Sequence, residues 1–218
     1  LAKRQALGVG SRTMNVPIHP LPEPVATVPT RFGDLIFHAF TDDSGRDHVA
    51  IISGEIENQE DVLCRIHSEC LTSEVLGSLK CDCRDQLDLA LYRIAEEGGI
   101  VLYLRQEGRG IGLANKLRAY ALQSKGADTV DANRLLGLED DLRRYDFAAY
   151  VLNKLGVKSV RLMTNNPEKI SGLRAEGIKV SHEPHQAEAD GHAQGYLDAK
   201  RDRMGHLLGV VDQEKLDE

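Results

Sequence analysis

Over residues 82–180 helical and strand periods alternate, and that alternation limits the chain to an α/β fold. Leu87, Leu91, Ile94 and Ala95 keep helical spacing up to Gly98-Gly99, and 100–104 then reads as a buried strand. Leu113, Leu117, Tyr120 and Ala121 mark a second helix closed by Gly126. Tyr145, Ala149 and Leu152 mark a third, closed by Gly156. Residues 157–163 form a further strand. Asn166-Pro167 then opens a short helix as cap and first-turn proline, and Gly177 ends it. Upstream, the β-prone runs 35–37, 48–52 and 62–66, with the turn signal Asp43-Ser44-Gly45, make a strand-rich front half. The expected architecture is mixed α/β, one domain over 30–208. From His182 onward a loop leads to a peripheral helix around 196–208, and 209–218 form an acidic tail. Residues 1–29 hold five of the 7 prolines, show no helical or strand period, and read as an extended arm of disordered-type composition.

Composition narrows the class of partner. With 27 Lys plus Arg against 34 Asp plus Glu, the net charge is −7, which argues against a nucleic-acid-coating protein. A local Arg/Lys cluster would still suffice for a small phosphorylated substrate. No run approaches the roughly 18 apolar residues of a membrane helix, and the first residues lack the apolar core of a secretory signal. A cytoplasmic protein is expected, and its 4 Cys then read as metal ligands or buried thiols before disulfides.

Cys70, Cys81 and Cys83 are the strongest chemical signal. Thiolates favour zinc, and three protein ligands leave a fourth tetrahedral position open, as a hydrolytic ion requires. Cys64 lies six residues before Cys70, about 20 Å along a strand, too far to share the ion. Three buried cytosolic thiols are the plainer alternative. Arg105-Gln106-Glu107-Gly108-Arg109-Gly110-Ile111-Gly112 follows a strand and opens a helix. Its glycines allow close backbone approach, and its two arginines suit a polyphosphate. Strand alternation puts Arg65, His67 and Glu69 on one face, which suits a ligand pocket or, more commonly, a solvated edge strand. Asp140 and Asp141, read alone, are dipole partners at a helix start. Thr164-Asn165-Asn166-Pro167-Glu168-Lys169 would hold a phosphate or make an ordinary cap and turn. His182, His185 and His192 keep no metal spacing and read as surface residues.

In order, these segments and three others closely resemble GTP cyclohydrolase II. The others are 115–123 (Asn115-Lys-Leu-Arg-Ala-Tyr-Ala-Leu-Gln123), Asp128-Thr129, and Met204-Gly-His-Leu-Leu208. The resemblance spans about residues 25–208. It implies opening of the imidazole ring of GTP, the first step of riboflavin synthesis. Formate, pyrophosphate and 2,5-diamino-6-hydroxy-4-(5-phosphoribosylamino)pyrimidine are the products. It implies Zn²⁺ on Cys70, Cys81 and Cys83, and GTP contacts from Arg65, Ile66, His67, Ser68, Glu69, Gln86, Glu107, Gly108, Arg109, Thr129, Thr164 and Lys169. Asp141 matches a proton acceptor, Arg143 a residue that attacks the α-phosphorus, and Tyr120 a tyrosine near the base and the zinc. Mg²⁺ on the triphosphate and a homodimer are implied as well. At 218 residues the chain is not expected to carry the additional dihydroxybutanone-phosphate synthase domain of bifunctional relatives.

Three other functions compete. His67-Ser68-Glu69 echoes the H-x-E of zinc nucleobase deaminases, but their P-C-x-x-C partner is absent. A non-catalytic nucleotide- or zinc-binding module would not need Asp141 and Arg143. A relative that stops at the formylated ring-opened product is the third, with Tyr120 as the position to watch.

Overall fold

The computed structural model describes residues 24–126, 129–139 and 141–185. Its strands and helices in chain order are β1 (Val25–Thr30), β2 (Gly33–Thr41), β3 (Asp47–Ser53), β4 (Val62–Ser68), α1 (Leu71–Glu74), α2 (Cys83–Glu97) and β5 (Gly99–Leu104). A 3₁₀ turn over Glu107–Gly110 comes next. Then follow α3 (Leu113–Gln123), α4 (Thr129–Leu135), α5 (Asp146–Lys154), β6 (Ser159–Met163), α6 (Pro167–Ala175) and β7 (Lys179–Glu183). All seven strands join one sheet in the order β1-β2-β3-β5-β4-β6-β7. The front strands pair antiparallel up to β3–β5, and β5, β4, β6 and β7 are parallel. The mixed α/β class expected from the alternation is the observed one.

Alternation along the buried strands separates two cores. Leu63 and Val101 pack with Ala90 and Ile94 of α2 on one face. Cys64, Ile66 and Leu102 pack with Val151 and Leu152 of α5 and Leu173 of α6 on the other. Cys64 is fully buried there, and burial pushes its thiol up to about 12, so it is a neutral core side chain. Gly99 opens β5 at φ +137°, and a Cβ there would stand 2.3 Å from the Leu63 carbonyl oxygen, so only glycine lets β5 lie against β4.

Four expectations change. Residues 25–29 belong to a strand, not to an extended arm: β1 pairs with β2 along its length. Pro29 is compatible because β1 is an edge strand, where a missing N–H costs no ladder bond. Strand β4 is central rather than a solvated edge; Arg65 and His67 are 5% and 3% exposed. The stretch after Val180 continues as strand through Glu183. His185 is not a surface residue, and His182 is half-buried. His182 Nε2 meets the Thr164 carbonyl at 2.7 Å, while His185 is buried with its Nε2 2.9 Å from the Gln86 carbonyl. Burial holds the His185 imidazole at about 3, hence neutral at physiological pH. Residues 1–23, His192, the expected helix at 196–208 and the tail at 209–218 lie outside the described residues.

Candidate active site

The chain leaves β4 through α2 to reach β5 on one side, then passes back over β4 to β6 on the other. Crevices beyond the carboxyl ends of parallel strands at such a reversal are where α/β sheets bind ligands. A pocket lies there, lined by residues that follow β4 and β5 and by α3.

Cys70 caps α1, Cys81 precedes α2, and Cys83 is the first residue of α2. The three sulfurs lie within 4.8 Å of one another, with Cys70 and Cys81 at 3.6 Å. Helix N-termini favour thiolates, and Lys116 Nζ donates to Cys70 Sγ at 3.0 Å. Hydrogen bonds from Cys81 and Cys83, against burial and helped by Lys116, hold the Cys70 thiol far below its usual range. The hydrogen bonds with Cys70, with burial adding to them, raise the thiols of Cys81 and Cys83. Three thiols packed this closely are a donor set that a thiophilic divalent ion would complete.

The second wall is a loop zipped to a distant segment. Leu142 N–H donates to the Arg109 carbonyl at 3.0 Å, and Gln106 Nε2 donates to the Arg144 carbonyl at 2.9 Å. Gly110 makes this approach: it has φ +88°, and an added Cβ would meet Leu142 backbone at 3.1 Å. Arg109 itself takes φ +61°, an uncommon conformation for a side chain of its size. The zipper delivers Asp141 and Arg143. Arg143 Nε donates to both carboxylate oxygens of Asp141, at 2.9 and 3.0 Å, and Nη2 donates to Oδ2. Burial pushes the Asp141 carboxyl up, but the Arg143 guanidinium outweighs it and holds it below the ordinary range. Asp141 is therefore not a dipole partner of a helix start; α5 begins only at Asp146.

Glu107 is heavily engaged. Oε1 accepts from Gly108 N–H and Lys116 Nζ, both at 2.7 Å, and Oε2 accepts from Leu71 N–H at 2.7 Å. Tyr120 sits between two ammonium groups, Lys80 Nζ at 5.1 Å and Lys116 Nζ at 5.9 Å from its ring centroid. Burial raises its phenol to about 12, so it stays protonated.

Beneath the pocket lies a buried polar layer. Arg65 donates to the Met163 carbonyl at 2.8 Å and to Gln86 Oε1 at 2.5 Å, and Gln86 Nε2 reaches Asp82 at 2.5 Å. Lys169 Nζ donates to the Ile66 carbonyl at 2.8 Å, and Thr164 Oγ1 accepts from Asn166 N–H at 3.0 Å. His67 Nε2 lies 2.7 Å from Glu74, which also accepts from Tyr103.

The residues singled out in the sequence thus divide. Ser68, Glu69, Cys70, Cys81, Cys83, Glu107, Gly108, Arg109, Tyr120 and Arg143 line one pocket, with Asp141 gripping Arg143. Arg65, Ile66, His67, Gln86, Thr164 and Lys169 make or adjoin the layer below it. Thr129 opens α4, and its side chain lies outside what is described. Lys116 and Asn133 also line the pocket, although sequence reasoning passed over them. Lys116 had a signal: it stands one helical turn before Tyr120, on the same face of α3.

The chain matches the family model for GTP cyclohydrolase II over residues 23–184. It is 51% identical over 186 residues to riboflavin biosynthesis protein RibBA of Bacillus subtilis (strain 168), covering 84% of this chain and 47% of that protein. With riboflavin biosynthesis protein RibBA of Endomicrobium trichonymphae the identity is 49%, covering 84% and 46%. It is 50% identical over 184 residues to GTP cyclohydrolase-2 of Shewanella baltica (strain OS155 / ATCC BAA-1091), covering 83% and 90%. The chain spans about half the length of the RibBA relatives, and most of the length of GTP cyclohydrolase-2.

Proposed function

Because the chain belongs to the GTP cyclohydrolase II family, we propose that it opens the imidazole ring of GTP by hydrolysis, with release of formate and pyrophosphate. The observation that carries this reading is the meeting, in one pocket, of a three-thiol cluster and an Asp141-gripped Arg143. The first suits hydrolysis at carbon and the second suits displacement at phosphorus. The product is 2,5-diamino-6-hydroxy-4-(5-phosphoribosylamino)pyrimidine, the entry point of riboflavin synthesis.

Cys70, Cys81 and Cys83 would hold Zn²⁺, which would supply Lewis acidity and lower the pKa of water near the base. Arg143 forms a bond to the α-phosphorus as the α–β phosphoanhydride breaks, pyrophosphate leaves, and Asp141 takes the guanidinium proton. A guanidinium alone is a poor nucleophile, and a carboxylate at 2.9 Å is the neighbour it needs. Water later hydrolyses the P–N bond and restores Arg143. Arg109 balances the triphosphate charge, to which Mg²⁺, when bound, would add charge stabilisation. Tyr120 lies along the base with its phenol as a donor. Arg65, Gln86, Thr164 and Lys169 fix the pocket floor and take part in GTP contact, together with Ile66, His67, Ser68, Glu69, Glu107, Gly108 and Thr129.

The catalytic unit runs from β1, at Val25, to about 208, and it acts as a homodimer. Exposed apolar side chains at Val75, Leu76 and Leu79, next to the thiol cluster, support a subunit contact. No helix among the described residues is long and apolar enough to cross a membrane. A reducing cytoplasm suits the thiol cluster.

Incubation with GTP, Zn²⁺ and Mg²⁺ tests the reading. Formate and pyrophosphate should appear together. Ammonia without formate would mean a deaminase, and pyrophosphate with a retained formyl group would mean an enzyme that stops one step earlier. Metal content gives an independent check. Cys70→Ser, Cys81→Ser and Cys83→Ser should each lose the zinc, whereas Cys64→Ala should keep one ion per chain. Retention in Cys70→Ser with loss in Cys64→Ala would overturn the ligand assignment.

A further inference from the structure

The second residue of strand β3 is a histidine whose contacts reach both walls of the pocket. His48 is 3% exposed, and its Nδ1 accepts from the Arg105 backbone N–H at 3.1 Å. A ring nitrogen that accepts carries no proton, so Nε2 carries it and donates to Asp42 Oδ2 at 3.1 Å. Asp42 is itself fixed. Its Oδ1 accepts from Ser44 N–H at 2.9 Å, Ser44 Oγ at 2.6 Å and Arg46 N–H at 3.0 Å, and its Oδ2 accepts from Arg46 Nε at 3.0 Å. The bonds from Ser44, then Arg46, hold the carboxyl far below its usual range. It is therefore a permanent acceptor for His48.

The position of this imidazole is informative. Pairing between β3 and β5 ends at Val49 and Tyr103. Two residues later the chain turns away as the loop 105–112, and the Arg105 N–H finds the imidazole of His48 instead of a ladder carbonyl. Phe147 of α5 packs on the same ring, with centroids 4.5 Å apart. Arg105 opens the loop that carries Glu107 and Arg109. Phe147 lies in the first turn of α5, four residues after Arg143. One side chain thus touches the bases of both pocket walls, close to where Gln106 and Arg144 zip them together.

We propose that His48, kept as the Nε2–H tautomer by Asp42, is a positioning residue that sets where the loop 105–112 and the Asp141–Arg143 pair stand. This role rests on the reading of those walls as the nucleotide site. His48 touches no substrate; it acts through the Arg105 amide.

Asp42→Asn is the sharp probe. Three donors face Oδ1, so the amide must turn its oxygen towards them and its NH₂ towards His48. Nε2 then has to accept, the ring proton moves to Nδ1, and Nδ1–H opposes the Arg105 N–H. His48→Asn is the conservative counterpart. Its Oδ1 can stand where Nδ1 stood and accept from Arg105 without help from Asp42.

The experiment uses the full zinc-loaded chain. It reads ¹⁵N shifts of the His48 ring, hydrogen exchange at the Arg105 amide, zinc content, and kcat and KM for GTP. The parent should show the Nε2–H tautomer. Asp42→Asn should move the proton to Nδ1, speed exchange at Arg105, and lower kcat/KM about 10- to 100-fold, the range for a displaced site element, with zinc content unchanged. His48→Asn should retain more activity than Asp42→Asn, and adding Asp42→Asn to it should cost little more. A general loss of packing would not produce that rescue. A parent ring protonated on Nδ1, or an Asp42→Asn chain with unchanged Arg105 exchange, overturns the proposal. If the parent releases no formate from GTP, the functional reading fails, while the tautomer and the amide exchange still decide the positioning contact.

Discussion

Arg143→Ala is expected to stop both pyrophosphate and formate release, by about 10³-fold or more, the scale of losing an arginine that acts on a transferring phosphoryl group. Phosphoryl displacement comes first in the proposed order, so nothing downstream can escape its loss. Arg143→Lys should not rescue. Asp141 holds the guanidinium through both Nε and Nη2, and a lysine offers one point charge where the site is shaped for a planar fork. Asp141→Asn should be nearly as damaging, since it removes the proton acceptor and half of that grip. Cys81→Ser should behave differently: formate release ends while some pyrophosphate release survives. The two products are measured in parallel for all four variants. An Arg143→Ala enzyme that still makes formate at near-normal rate would show that Arg143 only binds, and that ring opening does not wait for it.

GTP should be preferred to ATP by about 10⁴-fold in kcat/KM, because a site built for hydrogen-bond donors is left unpaired by a base that lacks them. Guanine presents N1–H and an exocyclic amine at one edge, where adenine presents an acceptor and no amine. A carboxylate answers both donors. Glu107 is the carboxylate that the loop motif suggests, but three N–H groups already occupy most of its roughly four acceptor sites. Among the described residues lining the pocket, the other carboxylate is Glu69, with Arg105 Nε at 3.5 Å and a side chain 19% exposed. Glu69 is therefore expected to read the base. Glu69→Gln, which trades one acceptor for a donor, should erode the preference mainly by losing GTP turnover. Steady-state rates with both nucleotides decide it; comparable kcat/KM values for the parent would sink the assignment.

The chemistry of the site was more legible in the sequence than its depth. The cysteine triad stood out because ligand spacing is local: Cys81 and Cys83 flank the start of α2, and Cys70 caps α1. The alternation of strands with helices α2, α3, α5 and α6 was readable because each buries one periodic face. What sequence could not say is which strand lies in the middle. Alternation puts Arg65 and His67 on one face of β4 whether that strand is central or at the edge. Only the crossover past β4 to β6 buries them. Contacts made by single side chains over long separations were equally hidden. His48 meets Arg105 across 57 residues, and His185 meets Gln86 across 99. The first strand was missed because Pro29 argues against a strand until its edge position is known.

The two cations under the pocket carry a consequence for how the chain reaches its native state. Arg65 hands a proton donor to the Met163 carbonyl, 98 residues away, and Lys169 reaches the Ile66 carbonyl across 103. Before β6 and α6 dock on β4, Arg65 stands at an open sheet edge and can stay hydrated. Docking removes that water and supplies the carbonyls in the same event. A partly assembled sheet that had dried this layer without both partners would bear the cost of a buried, under-bonded charge. Intermediates of that kind are disfavoured, so the last parallel strands and the floor of the pocket form together. The buried charges that shape the site thereby favour cooperative assembly of its floor.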